Sequence, residues 1–193
     1  MTYNPPSIDD YTNTILDYIE YYPNVVDSKL CNTITKHFDK NADWKTSTFS
    51  THDKNSGTSK VNMQEYWITK KDTYAEHLRT AFVKTISNYT QTHTIIKPQE
   101  FTNFRINRYS TGGFMKNHID NIHHSHGQKQ GYPHLTSLIF LNDDYEGGDF
   151  VLCGDKYIEK IQGSAIVFPS NFMFPHEVKP VTKGIRHSLV CWN

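Results

Sequence analysis

Beyond residue 100 the chain changes character, and that change limits what it can fold into more than any other feature. Short runs of β-branched and aromatic residues follow one another, separated by Gly, Pro, Asn and Asp, which is how strands joined by tight turns read. Phe104-Arg105-Ile106-Asn107-Arg108-Tyr109 alternates, Leu135 to Leu141 is nearly continuous, and Phe150-Val151-Leu152, Ala165 to Phe168 and Ser188 to Trp192 follow. The glycine pairs Gly112-Gly113 and Gly147-Gly148 punctuate the turns. This predicts a jelly roll, with an open sandwich as the competing architecture.

The first half reads as mostly helical and polar. After Asp27, an expected N-cap, Leu30, Ile34 and Phe38 recur at four-residue spacing and place one apolar stripe on a helix. That stripe needs a sheet to cover. From Asp72, a second expected cap, Tyr74, Leu78, Ala81, Phe82, Ile86 and Tyr89 mark a longer amphipathic helix. Residues 41–62 between them, rich in Ser, Thr, Lys and Asp, read as a long surface loop. The expectation is one domain over 1–193, mainly β with N-terminal helices: 1–100 a supporting helical part, 101–193 the β core.

Charge excludes little but shifts the weight. Twenty Lys plus Arg balance twenty Asp plus Glu, so no global field draws the chain onto nucleic acid, and only a local basic groove is left open. A nucleic-acid partner is therefore not expected. There is no apolar run long enough for a membrane span, and the start lacks a secretory pattern, so a soluble, cytoplasmic protein is expected. Cys31, Cys153 and Cys191 are widely spaced and form no C-x-x-C pair. Histidine is the unusual count: 11, five of them between His118 and His134.

His118-Ile119-Asp120 follows an expected turn in a region of strand character, where residues i and i+2 share a face about 7 Å apart. Both side chains can then reach one ion. His37-Phe38-Asp39 is the control: on a helix those two lie about 200° apart and cannot chelate together. Far downstream come His176-Glu177 and Gly184-Ile185-Arg186-His187. Two imidazoles and one carboxylate make the facial triad of non-haem Fe(II) oxygenases, leaving positions open for co-substrate and dioxygen. Arg186 would supply an anion clamp, and an inward-facing cation beside an apolar strand needs an anion.

As an ordered set, Tyr109, His118 with Asp120, Leu141-Asn142 with Gly147-Gly148, Gly163 to Phe168, His176-Glu177-Val178, Gly184-x-Arg186 and Trp192 are specific. The stretch from Tyr109 to Trp192 resembles the 2-oxoglutarate and Fe(II)-dependent dioxygenase superfamily, in its prolyl 4-hydroxylase-like branch. The resemblance implies a double-stranded β-helix, a cupin-like jelly roll backed by helices. It implies Fe(II) on His118, Asp120 and His176, and 2-oxoglutarate chelating the iron with its far carboxylate on Arg186, to which Tyr109 could add a hydroxyl. It further implies O2 as oxidant, ascorbate as an agent that sustains the iron, and hydroxylation of an unactivated C–H, foremost a prolyl residue of a peptide or protein. Two positions depart from the pattern. Collagen-type relatives commonly carry Lys where Arg186 stands, and Asp149-Phe150 replaces the usual Glu-Thr; both bear on substrate choice rather than on the iron site.

Blander readings stand beside these. His123, His124, His126 and His134 could make a second metal site, but a solvated insert is the better reading of a loop with Ser, Gln, Lys and Gly. Tyr109 is equally a packed core tyrosine. His187, alternating with Arg186, should face away from the site. Trp44, Tyr66 and Trp67 could touch a peptide, with core packing the expected role for at least two. The rival functions are the same chemistry on a nucleobase, a lysine or a free amino acid, or a catalytically silent β-roll that binds partners. The sequence carries no signal for oligomeric state.

Overall fold

A computed structural model of the protein describes residues 15–47, 60–98, 101–120 and 133–193. His123, His124 and His126, and the middle of the 41–62 stretch, lie outside the described residues.

The first helix, α1 (Ser28–Asn41), begins where expected: the Asp27 side chain accepts a hydrogen bond from the Leu30 amide at 2.9 Å, satisfying one of the amide groups that a helix start leaves open. Cys31, Ile34 and Phe38 form its buried stripe. The second helix, α2 (Ala75–Thr92), buries Leu78, Ala81, Phe82, Ile86 and Tyr89. Asp72 does not cap it. Its carboxylate accepts instead from the Thr69 amide and hydroxyl and from the Tyr66 hydroxyl, closing the turn ahead of the helix and tying it to a strand.

Every strand pairing is antiparallel. The large sheet runs in the order β1 (Glu20–Tyr22), β11 (Ala165–Pro169), β7 (Leu135–Phe140), β14 (Arg186–Trp192), β5 (Phe104–Tyr109), β4 (Gln64–Ile68), β2 (Lys45–Thr46). The small sheet runs β10 (Lys156–Ile158), β9 (Phe150–Leu152), β12 (His176–Val178), β6 (Phe114–His118), β3 (Val61–Asn62). A separate pair joins β8 (Glu146–Gly147) to β13 (Val181–Lys183). The runs expected to be strands are thus β5, β7, β9, β11 and β14. The first half is less helical than its composition suggests, because β1, β2, β3 and β4 extend both sheets, and the expected loop 41–62 is a strand at each end.

Strand alternation sorts the core into two layers. On β14, Leu189 and Cys191 face the helices with Ile34, Phe38, Leu78 and Phe82. Val190 and Trp192 face the small sheet with Leu138, Phe140, Phe150, Phe168 and Val178. Helices cover one face of the large sheet and the small sheet covers the other, so β7 and β11 are buried on both sides. This explains why they read as nearly unbroken apolar runs. Each large apolar side chain buried there contributes about 1.5–3 kcal/mol.

Outside the core, Asp39 of the control pair is engaged rather than solvated. It accepts from Arg108 Nε and pairs with His187 Nε2, both at 3.0 Å, and so fixes α1 to the outer face of β5 and β14. His187 therefore faces away from the sheet interior, as its alternation with Arg186 requires. Trp44, Tyr66 and Trp67 are all partly buried against the core.

Candidate functional site

His118, at the end of β6, and His176, at the start of β12, are Cα partners across the small sheet. Asp120 lies just past β6 rather than within it. His118 Nε2 is 3.5 Å from Asp120 Oδ1, and His176 Nε2 is 3.5 Å from Asp120 Oδ2. One ligand atom from each of the three falls within 4.8 Å of the others. Sequence spacing brings His118 and Asp120 together, and strand pairing alone brings His176 to them.

The tautomers follow from the partners. His118 Nδ1 lies 2.9 Å from the Lys116 carbonyl and His176 Nδ1 lies 3.1 Å from the Phe174 carbonyl. A carbonyl only accepts, so each Nδ1 carries the proton and each Nε2 presents a lone pair, the arrangement that orients metal-binding imidazoles. Burial, with His118 beside it, pushes the His176 pKa down to about 4, so that ring is neutral at pH 7. Burial works to raise the Asp120 pKa, but the two imidazoles and the Thr136 hydroxyl outweigh it and hold the group well below the usual carboxylate range. Thr136 Oγ1 donates to Asp120 Oδ2 at 2.8 Å and lies 2.9 Å from Ser170 Oγ. A buried carboxylate set between two imidazoles, with no Lys or Arg against it among the described residues, calls for a cation. Nitrogen and carboxylate donors in this number suit Fe(II).

Arg186 is fully buried. Nη1 donates to Ser188 Oγ at 2.9 Å, while Nε and Nη2 have no hydrogen-bond partner. The guanidinium carbon sits 5.0 Å from the Tyr109 ring centre and 5.8 Å from that of Phe140. Such a cation, desolvated and half-satisfied, is a receptor for a carboxylate. Tyr109 donates only to Met115 Sδ, at 3.9 Å. Burial raises its pKa against the pull of Arg186 and Arg105.

Tyr145 was not apparent from the sequence. Its hydroxyl is buried without a hydrogen-bond partner, and its pKa, raised by burial, is pulled down by Arg186 alongside. Gly148 makes room for both: a Cβ there would lie 3.0 Å from Tyr145 Cε2 and 3.3 Å from Arg186 Cδ. The available signal was an aromatic residue just ahead of the glycine pair.

His134 is exposed and serves the sheet through its backbone, which donates to the Asn193 carbonyl at 2.7 Å. No Cys is paired with another.

Residues 104–193 match the 2OG-Fe(II) oxygenase superfamily. Over that stretch, which holds the β core from β5 to β14, the chain is similar to that superfamily. A PKHD-type hydroxylase of Thermosynechococcus vestitus is 35% identical over 102 residues, which are 50% of this chain and 45% of that protein. One of Aliarcobacter butzleri is 26% identical over 145 residues, 71% of this chain and 63% of the relative. The chain thus spans about half the length of the first of these relatives. Among solved structures, a Pseudomonas putida prolyl-4-hydroxylase superposes with TM-score 0.71 at 18% identity, covering 95% of this chain and 94% of that one. A Trichoplax adhaerens prolyl hydroxylase, solved with a hypoxia inducible factor peptide fragment, gives 0.70 at 18% identity, covering 92% and 84%. The fold is the double-stranded β-helix of these 2-oxoglutarate oxygenases. The superfamily's co-reactants are Fe(II), 2-oxoglutarate and O2, and the donor set and the half-satisfied arginine fit the first two. No helix among the described residues is long and apolar enough to cross a membrane.

Proposed function

We propose that this chain is a 2-oxoglutarate- and Fe(II)-dependent hydroxylase acting on a prolyl residue of a peptide or protein. One observation carries the reading: a metal-ready triad and a buried arginine with two unused donors belong to one interior. Aromatic rings link them: the Arg186 guanidinium carbon lies 5.8 Å from the Phe140 ring centre, Phe140 meets Phe150 at 6.5 Å, and Phe150 meets His176 at 5.4 Å. His118, Asp120 and His176 hold the iron, and Arg186 grips the far carboxylate of 2-oxoglutarate through Nε and Nη2. Tyr145 and Tyr109 offer hydroxyls to the same carboxylate. When bound, Fe(II) and 2-oxoglutarate would supply the oxidising chemistry with O2 as oxidant, one oxygen atom going to succinate as carbon dioxide leaves and the other to the substrate. Phe140, Phe150 and Phe168 line the interior between the sheets and keep water from it. A peptide substrate is supported by the Trichoplax neighbour, which was solved with one.

The test is succinate formation from 2-oxoglutarate with Fe(II), together with mass analysis for gain of one oxygen on proline-containing peptides and on oligonucleotides. Wild type should turn over and oxidise peptides, and Asp120→Ala should do neither. Equal turnover in both proteins, or oxidation of oligonucleotides alone, would remove the proposal.

A further inference from the structure

A second polar cluster faces the same interior and takes no part in holding iron or 2-oxoglutarate. On β4 and β5, Glu65 is the Cα partner of Asn107, and Trp67 is the partner of Arg105. Arg105 is 6% exposed and Asn107 3%. The Arg105 guanidinium carbon lies 4.8 Å from the Trp192 ring centre and 5.7 Å from that of Trp67. Its Nη1 is 3.4 Å from Glu65 Oε2, yet that oxygen has no hydrogen-bond partner, and neither do Arg105 Nε and Asn107 Oδ1. Glu65 Oε1 accepts from Trp67 Nε1 at 3.3 Å.

A pair that served stability would align its donors and acceptors, because buried charges recover their desolvation cost only with good geometry and full hydrogen bonding. This pair does neither. It leaves one donor and two acceptors unused, side by side, with Glu65 still 18% exposed at the outer end. The two charges cancel, so the patch suits a neutral group that both donates and accepts more than it suits an ion. A backbone amide is that group: its carbonyl can accept from Arg105 Nε while its N–H donates to Glu65 Oε2 or Asn107 Oδ1. The indoles supply apolar walls for the flanking chain. The patch also neighbours the triad, since Trp192 pairs with Thr136, whose hydroxyl donates to Asp120.

We infer that Glu65, Arg105 and Asn107 form a subsite that grips a backbone amide of the peptide substrate. The inference rests on the peptide-hydroxylase reading and adds residues that select the substrate. The test replaces the pair by apolar side chains of similar size, Glu65→Leu with Arg105→Met, a change that is often neutral or stabilising for a misaligned buried pair. The whole 193-residue chain is titrated calorimetrically with a pool of capped, uncharged hexapeptides carrying one central proline, and separately with free L-proline.

Wild type should bind the capped pool in preference to L-proline, and the double variant should bind it about ten- to a hundredfold more weakly, the range for lost hydrogen bonds to charged groups. The variant should melt no lower than wild type and should still gain melting temperature from 2-oxoglutarate with Fe(II). Unchanged peptide binding, a wild type that ignores the pool or prefers L-proline, or a lower melting temperature with no response to 2-oxoglutarate would each overturn the inference. Failure of the hydroxylase reading shows elsewhere, as absent succinate formation, which the titration does not use.

Discussion

His118 and His176 face each other across the β6–β12 ladder with their ring centres 4.2 Å apart, and Asp120 reaches both. The rings are fixed by main-chain carbonyls and the carboxylate by Thr136. Removing the Thr136 hydroxyl should loosen Asp120 while sparing the three proposed ligands themselves. Thr136→Val should weaken Fe(II) binding about 10–100-fold, the usual cost of losing a partner behind a ligand. Thr136→Ser should restore most of it. Titration with Fe(II) under anaerobic conditions measures both, and equal affinity in Val and Ser variants would deny Thr136 that role.

Arg186 separates stability from binding. In the ligand-free protein its two unused donors are a desolvation cost, so Arg186→Met should not lower the melting temperature. It should nevertheless abolish stabilisation by 2-oxoglutarate, which in wild type grows as RT ln(1 + [L]/Kd). Losing the charged partner of a bound carboxylate costs about 2–5 kcal/mol in affinity. Tyr145→Phe should cost about 0.5–1.5 kcal/mol, as for one neutral hydrogen bond. Thermal melts with and without 2-oxoglutarate read all three, and an unshifted requirement in Tyr145→Phe would place that hydroxyl outside the carboxylate site.

How far these residues could be read in advance depends on whether their neighbours are near in sequence. Asp27, Ile34 and Phe38 declare α1 because a helix is written in spacing of three and four. The strand β4 falls between the expected loop 41–62 and the helix expected from Asp72, where no element was assigned: its inner face carries Glu65 and Trp67, so it lacks the apolar alternation that marks a strand, and its pairing with β5 is long-range. Asp72 was misread as a cap since capping and turn closure use the same residue type. Asp120 was expected on a strand with His118 but lies beyond it, held from β7 by a contact that local sequence does not specify. Tyr145 was missed for the same reason: only the fold sets it against Arg186.

The Asp39 bridge gives stability a pH dependence. Burial works to raise the Asp39 pKa, but the hydrogen bond and charge of His187, with Arg108, outweigh it and hold it below the ordinary value. A carboxyl whose folded pKa is depressed stabilises the protein above its unfolded pKa and loses that contribution as pH falls through the folded one. Asp39→Asn should therefore be less stable than wild type at neutral pH, with the gap narrowing as pH drops below the normal carboxylate range. Because Asp39 is over a third exposed, solvent screening keeps the gap small. Denaturant melts of the two proteins across that range measure it, and a gap independent of pH would contradict the pairing.

Two glycines test whether space at the proposed co-substrate clamp matters beyond backbone strain. Gly148 (φ +61°) and Gly154 (φ +88°) both hold left-handed backbone that costs a side chain about 1 kcal/mol or more. At Gly154 an added Cβ meets nothing within 4 Å, whereas at Gly148 it would stand 2.9 Å from Val181 Cγ2, 3.0 Å from Tyr145 Cε2 and 3.3 Å from Arg186 Cδ. Both alanine variants should therefore lose stability, Gly148→Ala the more. Only Gly148→Ala should also raise the 2-oxoglutarate requirement, because it displaces the two side chains that would hold the carboxylate. Melting temperatures and the 2-oxoglutarate dependence of succinate formation decide the matter. An equal rise in both variants would mean that backbone strain, not the position of Arg186 and Tyr145, governs the clamp.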